Sequence, residues 1–89
     1  MAWHLYVIRT VDRTLYAGVT TDVERRFREH LRQGRRAARY LRAHRPEKLV
    51  FSQEVGDRSA ALKAEYWFKC LPREQKEQVI RTGRLEVDS

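Results

Sequence analysis

The chain has 89 residues and a mass of 10.7 kDa, which is the size of one domain and excludes a second module or a large enclosed substrate cavity. It has 42% hydrophobic residues, no apolar run of membrane-spanning length, no signal-peptide pattern and one cysteine, Cys70, so we expect a folded cytoplasmic domain without a disulfide or a cysteine-based zinc site. The net charge of +7 makes a polyanion the expected partner, and the scarcity of apolar residues among the basic ones argues against a membrane surface.

The first 19 residues predict a β-hairpin. Residues 3–9 are large or β-branched and lack Gly and Pro; a polar turn follows, and residues 15–19 form a second short strand that ends near Gly18. Tyr6 and Tyr16 both have even residue numbers. They therefore project from the same face of the hairpin if the numbers of the two residues in each cross-strand pair sum to an even value. An odd sum would separate them, and the sequence leaves both registers open.

A helix is predicted next. Thr21 and Glu24 match a capping box, so the helix should begin near Asp22 and end at Gly34. Its predicted buried stripe follows four-residue spacing: Val23, Phe27 and Leu31. Arg26 and His30 share the adjacent edge one turn apart.

A strongly basic segment runs from Arg25 to Arg45. It contains nine arginines and one acidic residue, Glu29, so its net charge is +8, and the net charge of the rest of the chain is -1. The planar fork of arginine suits phosphate, which makes nucleic acid the expected partner and a solvated basic surface the alternative. A second helix is predicted over residues 36–44, ending before Pro46, with Ala37, Tyr40 and Leu41 as its contact face. The predicted phosphate contacts are Arg25, Arg28, Arg35, Arg36, Arg39 and Arg42, with Lys69 as an auxiliary one.

The second half predicts one strand and two helices. Residues 48–55 form the strand, and Asp57 or Ser59 caps a helix whose core face is Ala61, Ala64, Phe68 and Leu71. Pro72 breaks this helix, and the last helix covers residues 73–81 and ends at Gly83. We therefore expect a single domain over residues 1–83 with a flexible tail at 84–89. The order ββαβαα predicts an α+β fold with one small antiparallel sheet covered by helices.

Several short motifs occur in order along these elements. They are His4-Leu5-Tyr6, Tyr16-Ala17-Gly18, the helix arginine Arg26 and the later acidic residue Glu65. Together they resemble the GIY-YIG nuclease family, and most of all its stand-alone single-domain bacterial members. The resemblance extends from Trp3 to about Ile80. It implies a three-stranded antiparallel sheet flanked by helices and a structural role for Gly18.

The resemblance also implies a metal-dependent endonuclease that hydrolyses phosphodiester bonds. Glu65 would hold a single Mg²⁺ or Mn²⁺ ion, and Arg26 would grip the scissile phosphate. Tyr6 would activate the attacking water with Tyr16 as its positioning partner, although the reverse assignment stays open. His30 would orient the phosphate or relay a proton. No small-molecule cofactor and no membrane are expected, and the sequence identifies no protein partner.

The sequence departs from the family pattern at two points. It contains no asparagine, although the family frequently has one after the acidic residue, and His4 stands where the name-giving motif has glycine. Without a specificity module we expect weak sequence preference or structure specificity, DNA rather than RNA as the first substrate, and a setting in repair or recombination. The first alternative is a catalytically weak or inactive nucleic-acid-binding module. The second is a protein-interaction domain with an exposed patch of Tyr66, Trp67 and Phe68.

Overall fold

Three strands form one antiparallel sheet with helices on both faces. The structure is a computed structural model and describes residues 2–86. Its elements are β1 (Trp3–Thr10), β2 (Leu15–Thr20), α1 (Val23–Leu31), α2 (Arg39–Ala43), β3 (Pro46–Gly56), α3 (Arg58–Cys70) and α4 (Arg73–Thr82). The strand order β2-β1-β3 makes β1 central and leaves the other two as edges. The predicted fold class is confirmed, and the helical turns expected in the basic segment form the short helix α2.

The hairpin register decides the question that the sequence leaves open. Tyr6 pairs with Gly18, and Ile8 pairs with Tyr16. The paired numbers therefore sum to an even value, so the two tyrosines lie on the same face as diagonal neighbours. Gly18 lies inside β2, which continues to Thr20, so it does not end the strand as predicted.

The sheet carries a separate core on each face. On one face, Leu5 and Val7 of β1 pack with Ala64 and Phe68 of α3. On the other face, Tyr6 and Ile8 of β1 pack with Leu41 of α2 in a second core. Val23 and Phe27 of α1 lie at the margin of this core. Each large side chain that is fully buried contributes about 2 kcal/mol, so both helical layers are held to the sheet mainly by apolar burial.

Helix α1 begins with a different cap from the predicted one. The Asp22 side chain, not that of Thr21, accepts the hydrogen bond from the Arg25 backbone N–H at 3.1 Å. The helix ends at Leu31, three residues before the predicted end at Gly34. An aspartate is as good a cap as a threonine, and its charge also favours the helix N-terminus.

The buried stripe of α1 also differs at its last position. Leu31 is 46% exposed, whereas the neighbouring His30 is completely buried. Val23, Phe27 and His30 follow the spacing i, i+4, i+7, which is an equally regular helical face. The prediction of Leu31 as a core residue is therefore wrong, because the buried place is taken by a histidine whose two ring nitrogens both have hydrogen-bond partners.

Helices α3 and α4 form as predicted. Asp57 caps α3 by accepting from the Ala60 N–H at 2.8 Å, and Gly83 ends α4 with a φ of 75°. Arg9 of β1 binds Glu77 of α4 through two hydrogen bonds of 2.7 and 3.0 Å, which ties the last helix to the central strand. Within residues 2–86, none of these helices has the length and apolar character that crossing a membrane requires.

The packed part of the chain extends beyond the predicted boundary at residue 83. Leu85 is buried in the core beneath α3, and the Gln53 side chain binds both its backbone N–H (2.8 Å) and its carbonyl (3.1 Å). This pairing of a side-chain amide with backbone satisfies polar groups that would otherwise be buried alone. Of the predicted tail, residues 87–89 lie outside the described part.

Candidate active site

Gly18 makes room for the ring of Tyr6. A Cβ atom at position 18 would lie 2.5 Å from the Tyr6 hydroxyl oxygen and 2.7 Å from the adjoining ring carbon, so no other residue fits there without displacing the ring. Because Tyr6 and Gly18 are paired across the hairpin, the Tyr6 ring crosses β2. The predicted structural role of Gly18 thus has a definite form: the glycine lets a tyrosine of the central strand place its hydroxyl over the edge strand.

His30 donates a hydrogen bond to Tyr6. The Ala38 backbone N–H lies 3.2 Å from His30 Nδ1 and can only donate, so Nδ1 is the acceptor and the proton of the neutral ring is on Nε2. Nε2 lies 2.9 Å from the Tyr6 hydroxyl oxygen. Burial, together with the charge of Arg26, lowers the pKa of His30 from 6.5 to about 4, so the ring is neutral at pH 7.

The two tyrosines are adjacent but differ in exposure. Their ring centroids are 6.4 Å apart; Tyr6 is 1% exposed, and Tyr16 is half-buried. Burial raises the pKa of both phenols, and the Arg26 charge opposes this rise in each case. Both phenols therefore carry their protons at neutral pH in the free protein. The Arg26 charge favours the phenolate form of each, but its effect is smaller than that of burial.

Arg26 projects from α1 towards this pair. Its guanidinium binds the Glu29 carboxylate at 3.1 Å and donates to the Arg36 carbonyl oxygen. Glu29 also forms an ion pair of 3.5 Å with Arg36, and the hydrogen bond from Arg26 holds the pKa of the Glu29 carboxyl below its usual range. These contacts fix the guanidinium and join α1 to the loop that follows it at Arg36.

Glu65 reaches the site from the opposite face of the sheet. It lies on α3, where its carboxylate forms a 3.4 Å ion pair with Lys69. Its negative charge raises the pKa of both Tyr6 and Tyr16, so it is close enough to both phenols to act on them electrostatically. The elements from the two faces meet at the outer edge of β2, and the structure thus brings together the five residues that the sequence proposed for the site: Tyr6, Tyr16, Arg26, His30 and Glu65.

The donor atoms at this place fit a hydrated hard cation. Among residues 2–86, no group of three or more His, Cys, Asp or Glu side chains could hold a metal ion by itself. Mg²⁺ commonly takes one or two protein carboxylates and completes its octahedron with waters and substrate phosphate oxygens. Glu65, a carboxylate with part of its surface exposed, meets that requirement, whereas the site lacks the ligands of a closed zinc centre.

An open cleft of about 340 Å³ adjoins the tyrosines. Tyr16 and Tyr40 line it from one side of β2, and Lys69 and Lys76 line it from the helices on the other. The sequence places Tyr40 on the contact face of the second helix. In the structure its side chain is 39% exposed, and its ring stacks on Tyr16 with a centroid distance of 5.9 Å. Neither Tyr40 nor Lys76 was proposed for the site from sequence, since only the tertiary packing brings α2 and α4 to the edge of β2.

The basic segment lies on the same face as the tyrosines. Arg25, Arg28, Arg35 and Arg39 are exposed without intrachain side-chain partners in the described chain. Arg36 is exposed and pairs with Glu29, whereas Arg42 donates to the carbonyl oxygens of Gly34 (3.3 Å) and Arg35 (3.1 Å). Arg42 therefore also holds the loop between α1 and α2, while Lys69 lies in the cleft beside its partner Glu65.

A second groove lies elsewhere on the molecule. It has a volume of about 960 Å³ and runs between α3 and the end of β3, with Tyr66 and Trp67 in its wall. Tyr66 is 72% exposed, but Phe68 is buried in the core, so the three consecutive aromatic residues do not form one exposed patch. The catalytic candidates are absent from the residues that line this groove.

Comparisons with known proteins agree with this architecture. The model of the GIY-YIG catalytic domain matches residues 2–78. The chain is 52% identical over 81 residues to the UPF0213 protein YhbQ of Escherichia coli K12, which covers 91% of this chain and 79% of that protein. The YhbQ protein of Escherichia coli O1:K1 is 51% identical over 83 residues, covering 93% and 81%.

A solved structure shows the same fold. The solution NMR structure of the UPF0213 protein BH0048 from Bacillus halodurans matches with a TM-score of 0.58 and 33% sequence identity, over 92% of this chain and 85% of that one. The matched residues, 2–78, include the three strands, the tyrosine pair, the helix arginine and the α3 glutamate. The protein therefore belongs to the GIY-YIG family.

Proposed function

We propose that the protein is a metal-dependent endonuclease that hydrolyses phosphodiester bonds in DNA with weak sequence specificity. The observation that carries the proposal is the arrangement at one sheet edge: the rings of Tyr6 and Tyr16 are 6.4 Å apart, and Lys69, the ion-pair partner of Glu65, lines the same cleft as Tyr16. The Arg26 charge acts on both phenols. Phosphodiester hydrolysis needs an activated water, a cation for the growing phosphate charge and an ordered scissile group. The residues at the edge of β2 have the chemistry for each of these requirements.

Arg26 would bind the scissile phosphate. Its planar fork offers several N–H groups, and the Glu29 and Arg36 contacts leave the guanidinium fixed in orientation rather than mobile. Fixing a charged group in advance avoids reorganisation at the moment of reaction. A lysine at this position would keep the charge and lose the fork.

We assign water activation to Tyr6, with Tyr16 as its positioning partner. Hydrogen-bond donation from His30 and the charge of Arg26 both favour the phenolate of Tyr6 over its neutral form. Since burial raises the pKa of Tyr6, this assignment requires the bound cation to offset the effect of burial. The opposite assignment has the greater exposure of Tyr16 in its favour.

Glu65 would hold one Mg²⁺ or Mn²⁺ ion. When bound, such an ion neutralises charge on the phosphate oxygens and lowers the pKa of its water. Glu65 already has a positively charged neighbour, Lys69, whose ammonium would turn to the substrate phosphate when the carboxylate binds a cation.

The decisive experiment compares cleavage of linear and branched DNA by matched variants. Glu65→Gln removes the proposed metal ligand, and Glu54→Gln removes an exposed carboxylate on β3, the opposite edge of the sheet. We expect Glu65→Gln and Arg26→Lys to lose about 100-fold or more in cleavage rate in Mg²⁺, and EDTA to abolish cleavage by the wild type. Glu54→Gln should cleave like the wild type. Equal rates for the two glutamate variants would refute the proposal.

Phenylalanine variants separate the two tyrosine assignments. If Tyr6 is the base, Tyr6→Phe abolishes the rise of the cleavage rate with pH, whereas Tyr16→Phe lowers the rate and keeps that rise. The reverse pattern assigns the base to Tyr16. Binding of DNA by both variants, measured in EDTA, shows that neither result comes from unfolding.

The alternative is a nucleic-acid-binding module that cuts slowly or not at all. It is favoured by the engagement of Arg26 with groups of its own chain and by the missing family asparagine. Under this alternative, wild type and Glu65→Gln bind DNA equally and neither cleaves it in Mg²⁺ or Mn²⁺. RNA oligonucleotides of the same sequence test the choice of nucleic acid in the same assays.

A further inference from the structure

The cleft beside Tyr16 has two chemically different sides. Its aromatic side is formed by Tyr16 and Tyr40, and its cationic side by Lys69 and Lys76. Leu15, Ala17 and Phe68 form the floor between them, and the residues that line the cleft include no acid. At about 340 Å³ the cleft is near the lower end of small-molecule sites, which suits one monomeric unit rather than a duplex.

Tyr40 is held as a fixed aromatic platform. Its ring stacks on His44, with centroids 4.3 Å apart and planes 24° apart, and on Tyr16, with centroids 5.9 Å apart and planes 23° apart. His44 in turn binds Asp12 in the turn between β1 and β2 at 2.5 Å, so α2 is tied to the hairpin next to Tyr40. The ring remains 39% exposed and lines the cleft beside Tyr16. A platform that is already ordered loses little side-chain entropy when a ligand stacks on it.

The cationic side suits an anion. Lys76 has no carboxylate partner within ion-pair distance in the described chain, and its ammonium lies 5.8 Å from the centre of the Phe68 ring, over the cleft floor. Lys69 is beside Glu65, which links this side of the cleft to the proposed metal ligand. A ligand that spans the edge of β2 would therefore place an anionic group near the lysines and a flat ring near the tyrosines.

A nucleotide has this combination of groups. We propose that the cleft binds one unpaired nucleotide next to the scissile phosphate, with its base against the part of the Tyr40 ring that Tyr16 and His44 leave exposed and its phosphate at Lys69 and Lys76. Base stacking on aromatic side chains tolerates every base, which agrees with the weak sequence specificity of the proposed function. The inference rests on the proposed function and adds to it that the substrate carries an unstacked base where it is bound.

The test measures binding in EDTA, so that cleavage plays no part. Fluorescence anisotropy gives the affinity of wild type and variants for a labelled single-stranded 12-mer, for a 12-mer whose sugars lack bases, and for a duplex of the same length. Tyr40→Ala should weaken binding of the single strand about tenfold and leave the other two within about twofold. Tyr40→Phe should bind like the wild type, because it retains the aromatic face.

Three further variants complete the design. Tyr66→Ala removes another exposed tyrosine, outside the cleft, and should leave all three affinities unchanged. Lys76→Ala should weaken binding of all three oligonucleotides, because it removes a phosphate contact rather than a base contact. If Tyr40→Ala melts at a lower temperature than the wild type, Tyr40→Leu keeps more of the apolar volume and removes the aromatic face, with Tyr40→Phe as the control for the lost hydroxyl.

The outcomes distinguish this inference from the nuclease proposal. Equal loss of affinity in Tyr40→Ala for the single strand and the base-free strand would overturn the stacking site, whatever the cleavage assays give. A specific loss for the single strand, with no Glu65-dependent cleavage of any substrate, would support the stacking site and refute the nuclease.

Discussion

The hydroxyl of Tyr6 occupies the space in which any residue other than glycine at position 18 would place its Cβ. The two residues are directly paired in the hairpin, and Gly18 cannot gain a side chain while the Tyr6 ring keeps its place. His30 binds the same hydroxyl, so a displacement of the Tyr6 ring would also disturb this hydrogen bond. The position of the proposed base is thus set by a residue that has no side chain.

Gly18→Ala should therefore damage both stability and activity. A methyl group 2.5 to 2.7 Å from buried ring atoms must displace the ring, and overpacking of this kind costs about 1–3 kcal/mol. Urea unfolding measures the loss of stability, and cleavage at a temperature where the variant is folded measures the loss of activity. Gly34→Ala is the matched control, because a Cβ at that position meets no atom within 4 Å. Equal stability of the two variants would contradict the packing described here.

The hairpin shows how far sequence reasoning reaches. The two strands and the even residue numbers of Tyr6 and Tyr16 can be read from the sequence, whereas the register that places both tyrosines on one face comes from the structure. The role of Gly18 is a property of the close approach between a ring on one strand and the backbone of the next. Nothing in the local sequence distinguishes that glycine from one that ends a strand.

His30 and Leu31 show a different limit. Hydrophobicity alone selects Leu31 for the core, but the structure buries His30. A buried imidazole is stable only if its two nitrogens are satisfied, and here the partners are Tyr6 and the Ala38 backbone, 24 and 8 residues away. Since both partners come from tertiary structure, periodicity cannot identify the histidine as a core residue.

The burial of His30 predicts a loss of stability in mild acid. The pKa of His30 is about 4 in the folded protein and about 6.5 when unfolded, so between these values the unfolded chain binds the extra proton. The stabilisation is fully present above pH 6.5 and declines as the pH falls towards 4, by up to about 3 kcal/mol. Urea unfolding of the wild type at pH 7.5 and pH 5 measures the change. His30→Gln should be less stable at pH 7.5 and nearly independent of pH over this interval.

The lowered pKa of Glu77 predicts a second loss of stability, at a lower pH. The hydrogen bonds from Arg9 are the main cause that lowers the pKa of Glu77 to about 2, so its contribution is present above about pH 4.5 and disappears as the pH falls towards 2. Because the side chain is partly exposed, we expect a contribution of only about 1 kcal/mol. Glu77→Gln should lose that amount at pH 6 and nothing relative to the wild type at pH 2. A constant difference at both pH values would mean that the carboxylate acts through packing alone.

Substitutions of Arg39 and Arg42 should have different effects on DNA binding and stability, although both residues belong to the basic segment. Arg39 is exposed, whereas Arg42 holds the carbonyl oxygens of Gly34 and Arg35. Arg39→Gln should keep the melting temperature and reduce the log-log salt slope of duplex DNA binding by about 0.9, the value for one lost phosphate contact. Arg42→Gln should lower the melting temperature, because it leaves two loop carbonyl oxygens without this donor. If Arg39→Gln leaves the salt slope unchanged, the DNA does not contact the surface of α2. If the two variants have equal melting temperatures, the Arg42 contacts do not stabilise the loop.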